Sequence, residues 1–247
     1  MQLDHYRLLR EAEDKKETFR ELVKDVEYEP KGVLYSEMFF LSLAVSQFEP
    51  LRILESGRAR GQSTELLARL FPDMPIISVE YDRNSPDVEV AEKRLAPYSN
   101  VELQFGDARE ILPSISKAGD IVLIDGPKAW RGMKLLMKLL ATRRFELAFI
   151  HDVTVGTPDR AFLEKHLPST NYSDDPELAE ICHDLDERAA DQLPSELSFE
   201  ATRGKFGYGW SLGCLPYDAR IRYDSLWRKA GIASMKANLA RALGKKS

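Results

Sequence analysis

The chain has 247 residues with 43% hydrophobic and 30% charged residues, the balance of a soluble globular protein with a substantial core. The formal charge of −5 and a pI near 5.6 argue against general nucleic-acid affinity. Two cysteines outside any C-x-x-C pattern exclude a zinc framework, and no stretch approaches the ~20 apolar residues of a membrane span, so a cytoplasmic protein is expected.

In chain order, Asp4–Lys24 places Tyr6, Leu8, Leu9, Phe19, Leu22 and Val23 among dense charges, which predicts a surface helix with a narrow apolar stripe. Leu34–Phe48 is apolar nearly all round and reads as a buried helix with Ser36 as its cap. Arg52–Leu54 then reads as a first strand closed by Glu55. Gly57 and Gly61 punctuate the loop that follows, and Ser63 or Thr64 is placed to cap a helix over Glu65–Phe71. Glycines there let the backbone take positive φ and let a ligand lie against the main chain. A helix N-terminus aimed at the same spot adds unpaired N–H donors. The glycines are spaced G-x-x-x-G, so the dinucleotide fingerprint G-x-G-x-x-G is absent.

The strand–helix alternation continues. Pro75–Glu80, Val101–Phe105, Asp120–Asp125 and Glu146–Asp152 read as strands; Val88–Ala96, Ala108–Ile115, Trp130–Ala141 and Pro158–Leu167 read as the helices between them. Strand starts about every 25 residues predict βαβ units and a doubly wound, mostly parallel α/β sheet. Right-handed crossovers bring every strand's carboxyl end to one edge. Glu55, Glu80, Asp107, Asp125 and Asp152 follow five successive strands, so five acids are expected along one rim beside the glycine loop. Carboxylates accept hydrogen bonds from ribose hydroxyls, amines and cations, so such a rim suits a positively charged nucleoside better than a pyrophosphate.

These residues resemble class I S-adenosylmethionine-dependent methyltransferases, and within them the small-molecule O-methyltransferases of the catechol, caffeoyl-CoA and macrocin type. The resemblance spans about Ser36 to Leu167 and rests on Glu55-Ser-Gly57, Gly61-Gln62-Ser63, Glu80, Gly106-Asp107-Ala108 and Asp125-Gly-Pro-Lys128. It implies a Rossmann-like fold with an antiparallel edge and S-adenosylmethionine as cofactor. It also implies a cofactor site of Glu55, Gly57, Gly61, Gln62, Ser63, Glu80, Asp107, Ala108 and Asp125. In that family the loop glycines cradle the methionyl part, the acid matching Glu80 takes the ribose hydroxyls and the acid matching Asp107 lies against the adenine amine. Asp125 and Lys128 match the spacing of a metal-ligating Asp and a lysine base, and Asp152 matches a second metal-ligating Asp. Val153 departs from the pattern, since an oxygen donor often stands there. His151 is then open to three assignments: completing a Mg²⁺ shell with water, acting as the base itself, or facing the core. Arg58 and Arg60 make the loop more basic than is usual in the family, and at least one is expected at solvent.

Beyond Leu167 the chain changes character. Residues 173–200 carry ten acids against Arg188 alone, which reads as a solvated acidic face, with a substrate lid as the sharper alternative. Phe206–Leu215 is expected as an edge strand and Arg220–Lys246 as a basic helix. The organisation expected is a helical extension over 1–50, a cofactor-binding core over 51–217 that includes the acidic insert, and a C-terminal helix over 218–247. The function expected is methyl transfer to a small-molecule hydroxyl, with no nucleic-acid partner; a homodimer is left open. A nicotinamide oxidoreductase and a non-catalytic cofactor binder are the rival classes, since fold alone does not fix function.

Overall fold

The computed structural model describes residues 2–29, 32–192 and 211–242. Two helices, α1 (His5–Val23) and α2 (Tyr35–Val45), precede five strand–helix units. These are β1 (Arg52–Ser56), α3 (Gln62–Leu70), β2 (Ile76–Glu80), α4 (Asp87–Leu95), β3 (Val101–Phe105), α5 (Ala108–Ile115), β4 (Asp120–Ile124), α6 (Trp130–Ala141), β5 (Phe145–Ile150) and α7 (Pro158–His166). A short strand β6 (Asn171–Tyr172), helix α8 (Pro176–Cys182), a 3₁₀ helix (His183–Gln192), β7 (Gly213–Pro216) and α9 (Tyr223–Ala242) complete the described chain.

The seven strands form one sheet in the order β3-β2-β1-β4-β5-β7-β6, with β7 antiparallel to both its neighbours and the first five parallel. Successive residues of the central strands alternate between two cores, as the two-residue period of a strand requires. Ile53, Ile121, Leu123, Leu147 and Phe149 pack with α1, α2 and α3. Leu54, Val122, Ile124, Ala148 and Ile150 pack with α5, α6, α7 and α9. Strand order reverses between β1 and β4, so the loops after these two strands leave on opposite faces and open a crevice between them.

Most elements fall within two residues of their sequence expectation, and the exceptions are instructive. Helix α3 starts at Gln62 with Gly61 as its cap at φ 86°. Ser63 and Thr64 do not cap it, because their hydroxyls are drawn to Glu55. Ser36 does not cap α2 either; Leu34 holds that place, with its backbone N–H donating to Glu37. The strand expected over Phe206–Leu215 appears as Gly213–Pro216 among the described residues, with 206–210 outside them, and it lies one place in from the edge, which β6 holds; β6 had no signal in the sequence.

The described part of the acidic segment is mixed: Glu177, Glu180 and Glu187 are exposed, while other acids are engaged. Asp174 pairs with Arg160, Asp184 with Lys16 and Arg20, and Asp186 is fully buried, accepting from the Ser36 backbone N–H. Its residues 193–200 lie outside the described residues. No described helix is long and apolar enough to cross a membrane.

Candidate active site

The loop after β1 is built from beneath. Glu55 has no exposed surface and accepts from Ser63 Oγ at 2.5 Å, Thr64 Oγ1 at 2.5 Å and Ser78 Oγ at 2.6 Å. Burial raises its pKa, and the three hydroxyls work against that rise. Glu55 therefore anchors the loop from beneath, while Ser63 bonds to it and also lines, with Gln62 and Asp125, a second pocket of about 290 Å³. Gln62 is likewise an anchor: its amide accepts from the Glu29 N–H and donates to the Val33 carbonyl. Gly57 sits at φ 85°, and a Cβ there would collide with the Gly126 backbone. Only glycine permits that approach of the β1 loop to the β4 loop.

The two arginines of the loop separate. Arg58 is 2% exposed; its guanidinium donates to the Ser78 carbonyl at 2.6 Å and lies over the Phe105 ring. Arg60 is half exposed and pairs with Glu29 at 3.0 Å. The expectation of one arginine at solvent fits Arg60, while Arg58 serves as a brace under the loop.

A groove of about 290 Å³ runs along the β1–β2–β3 rim, lined among others by Gly57, Glu80, Tyr81, Asp107, Ala108 and Pro127. Glu80 ends β2 and accepts from the Ala59 and Tyr81 backbone N–H groups, at 2.9 and 2.7 Å. Those bonds fix the carboxylate at the mouth of the groove. Asp107 caps α5 by accepting from the Arg109 N–H. It also receives the Arg109 guanidinium, and that pairing holds its pKa below the usual carboxylate range. Asp107, expected to face an adenine amine, thus already has Arg109 as a partner.

The β4–β5 rim holds a cluster of opposite charges. Asp125 follows β4, with its backbone N–H donating to Ser56, so the β1 and β4 loops are laced together. Lys128 places its Nζ 2.5 Å from Asp125 Oδ1 and 2.8 Å from Asp152 Oδ2. His151 Nδ1 faces Asp125 Oδ1 at 2.8 Å and Asp152 Oδ1 at 3.2 Å, while its Nε2 faces Glu37 Oε2 at 3.0 Å. Asp152 reaches the cluster from a left-handed backbone at φ 63°, a conformation that Asp tolerates better than most residues.

Burial disfavours charge on all three of Asp125, Lys128 and His151, and the opposite charges around them win. Asp125 is pulled down to about 2 by His151 and Lys128. His151 is raised well above its usual value by Glu37 and Asp125. Lys128 is raised by Asp125 and Asp152. The two carboxylates favour the Lys128 ammonium, whereas the base role expected of it asks for an amine poised near neutrality, a state that calls for a neighbouring cation. The same surroundings favour the protonated His151 ring, against a role as base while Asp125 and Glu37 face it. His151 is buried yet does not simply fill the core; it belongs to the site.

Sequence reasoning missed Glu37, which lies 114 residues from its histidine. A signal was present: Glu37 is the lone charge in the apolar run Leu34–Phe48. A carboxylate in such a run and 1% exposed needs a partner.

Asp125, Asp152 and His151 each offer one ligand atom, and these atoms lie within 4.8 Å of one another. The donor set fits a divalent cation, with the imidazole held by a second carboxylate as metal-bound histidines are. Val153 adds nothing, since its side chain is in the core and its N–H donates to Ser211.

No protein-family model and no curated protein matches the sequence. Among solved structures, the chain is similar to the O-methyltransferase TomG of Streptomyces achromogenes, involved in tomaymycin synthesis and solved with SAM. The two are 20% identical, with 87% of this chain and 92% of that one covered and a TM-score of 0.45. Cofactor-bound Rv0187 from MTB is 20% identical over 83% of this chain and 91% of that one, with a TM-score of 0.47. The SAH-bound methyltransferase PaMTH1 of Podospora anserina is 15% identical over 88% and 90%, with a TM-score of 0.46.

Proposed function

We propose that this protein is an S-adenosylmethionine-dependent methyltransferase acting on a hydroxyl of a small molecule. The observation that carries the reading is the adjacency of two sites on one sheet edge. A groove with Gly57, Glu80 and Asp107 on its walls meets, at the Gly57–Gly126 contact, a cluster of three carboxylates, one lysine and one histidine. With both cations charged the cluster carries one net negative charge, which favours a sulfonium beside it. The groove sets Glu80 and Asp107 as acceptors beside Arg109, which Asp107 already pairs, and Arg131, and its loop lacks the G-x-G-x-x-G turn, so S-adenosylmethionine suits it better than a nicotinamide dinucleotide.

The reaction is an in-line displacement in which the acceptor oxygen forms a bond to the methyl carbon as the carbon–sulfur bond breaks, leaving S-adenosylhomocysteine. Alignment of oxygen and methyl supplies much of the acceleration. In this reading Lys128 donates a hydrogen bond to the acceptor oxygen, and Asp152, whose side chain is 33% exposed, takes the hydroxyl proton. Asp125 holds Lys128 in place, and Glu37 fixes the His151 ring. A divalent cation held by Asp125, Asp152 and His151 would, when bound, lower the pKa of the acceptor hydroxyl. Both cysteines are free and buried, in keeping with the cytoplasmic setting we propose.

Calorimetry with S-adenosylhomocysteine and with NAD tests the cofactor. A radiolabelled-methyl assay across phenol, sugar and polyketide hydroxyls, with and without EDTA, tests the reaction. Tight NAD binding with no S-adenosylhomocysteine binding would overturn the reading.

A further inference from the structure

We propose that His151 is a nitrogen ligand of the divalent-cation site and that this ligand turns the site towards first-row transition ions, with Mn²⁺ the probe, and away from Mg²⁺. The inference deepens the methyltransferase reading, which it needs for the ion's role but not for the ion's binding.

The ring's direction is fixed by what surrounds it. Glu37 is buried, and its Oε2 lies 3.0 Å from His151 Nε2 while also accepting from the Leu34 N–H at 2.8 Å. The Leu34 bond ties the Glu37 carboxylate to the start of α2, so Nε2 has a stationary partner. Nδ1 is left facing Asp125 and Asp152, at 2.8 and 3.2 Å. A carboxylate on the far nitrogen keeps the Nε2 proton in place, so the Nδ1 proton is the one that a bound cation displaces, and it raises the basicity of the ring. The next residue along the rim, Val153, carries no donor atom and packs against Gly213. The protein therefore contributes two carboxylates and one imidazole, not an all-oxygen set.

Donor type decides the ion. Mg²⁺ and Mn²⁺ both suit carboxylate, carbonyl and water oxygens and imidazole suits later first-row ions; Mn²⁺ stands at the start of that row, so it is the mildest probe of a nitrogen ligand and its nitrogen coupling the decisive readout. Lys128 occupies the space between the carboxylates with a single positive charge. Its side chain is 55% exposed, so its flexible stem lets the ammonium move off the carboxylates when a divalent ion is bound while staying at the rim where the acceptor oxygen lies.

The test uses the full chain after EDTA treatment and dialysis, with Mn²⁺ and Mg²⁺ titrated separately by calorimetry. Electron spin-echo modulation of the bound Mn²⁺ then reports any coordinated nitrogen. Mn²⁺ is expected to bind at least about tenfold more tightly than Mg²⁺ and to show nitrogen coupling. His151→Asn, which replaces the imidazole by an amide, should remove that coupling, weaken Mn²⁺ about 10–100-fold and narrow the gap to Mg²⁺. Glu37→Gln should weaken Mn²⁺ about tenfold with the coupling retained. Thermal melting checks that each variant folds; if neither does, the wild-type coupling and ion preference decide. Absence of Mn²⁺ binding at millimolar concentration, bound Mn²⁺ without nitrogen coupling, or Mg²⁺ bound as tightly would each overturn the proposal. Titrating S-adenosylhomocysteine into the same sample separates the two readings. Nitrogen-bound Mn²⁺ without S-adenosylhomocysteine binding would keep the metal site and sink the methyltransferase; the opposite pattern would do the reverse.

Discussion

The two halves of the rim are built by different means. On the β1–β3 side, Gly57, Glu80 and Asp107 are held by partners on the same rim: Glu80 by Ala59 and Tyr81, Asp107 by Arg109. On the β4–β5 side, His151 leans on Glu37 of α2, and α2 in turn receives Asp186 of the 3₁₀ helix at its Ser36 N–H. The first half is backbone-supported and partly open to solvent. The second half is a stack of buried charges drawn from three distant stretches of chain. Changes on the first side should therefore weaken binding, whereas changes on the second should alter stability and chemistry.

The largest effect is expected at Asp186, the far end of that stack. Burial pushes its pKa up to about 7, with Glu37 adding to the rise, Ser36 and the Tyr35 N–H opposing it, and Tyr28 nearby. An acid with a raised folded pKa favours the native state while protonated. That contribution is full below the unfolded value near 3.8 and is lost as pH climbs through about 7. Asp186→Asn keeps the shape without the charge. It should match the wild type in urea unfolding at pH 4 and exceed it at pH 8, by up to about 4 kcal/mol. Equal stability at pH 8 would mean that Asp186 is not charged at a cost there.

Next comes Lys128. Lys128→Met should reduce turnover about 10²–10³-fold by removing a donor to the acceptor oxygen. S-adenosylhomocysteine affinity, read by calorimetry, should be nearly unchanged, because Lys128 lies on the other half of the rim. A parallel loss of affinity would erase the distinction between the halves.

Glu80→Ala probes the open half. Loss of a charge-assisted acceptor should weaken S-adenosylhomocysteine binding by roughly 1.5–3 kcal/mol and leave the melting temperature within a few degrees of the wild type. A folded variant with full affinity would remove Glu80 from the cofactor site. Arg109→Ala is the smallest change: its pair with Asp107 is an exposed ion pair, so stability should move by less than about 1 kcal/mol. The informative readout is cofactor affinity, which should hold or improve if Asp107 is needed free for the adenine amine.

The sequence carried much of the β1–β3 half because its determinants are local. Glycines at 57 and 61, an acid at the end of each strand and a 25-residue strand spacing are read within one βαβ unit at a time. Even there it misplaced roles. Ser63 and Thr64 resemble helix caps in sequence, and only the neighbouring strand shows that Glu55 claims their hydroxyls. Arg58 looks like a surface loop residue until Ser78 and Phe105 of two other strands enclose it.

The β4–β5 half was legible as a list of residues and not as a state. Periodicity placed Asp125, Lys128, His151 and Asp152 at one sheet edge, since parallel strands joined by right-handed crossovers leave no other arrangement. Whether Lys128 is a base or a counter-ion depends on which charges stand within about 3 Å of it, and those distances are set by packing. Pattern and propensity act over a few residues, so the sequence by itself determined the alternation and the acids along the rim, while the strand order with its reversal between β1 and β4 belongs to the folded sheet. The sheet then brought together Glu37, His151 and Asp186 from stretches that share no local signal. Their protonation follows from low-dielectric burial and mutual distance, quantities that exist only once the chain has folded.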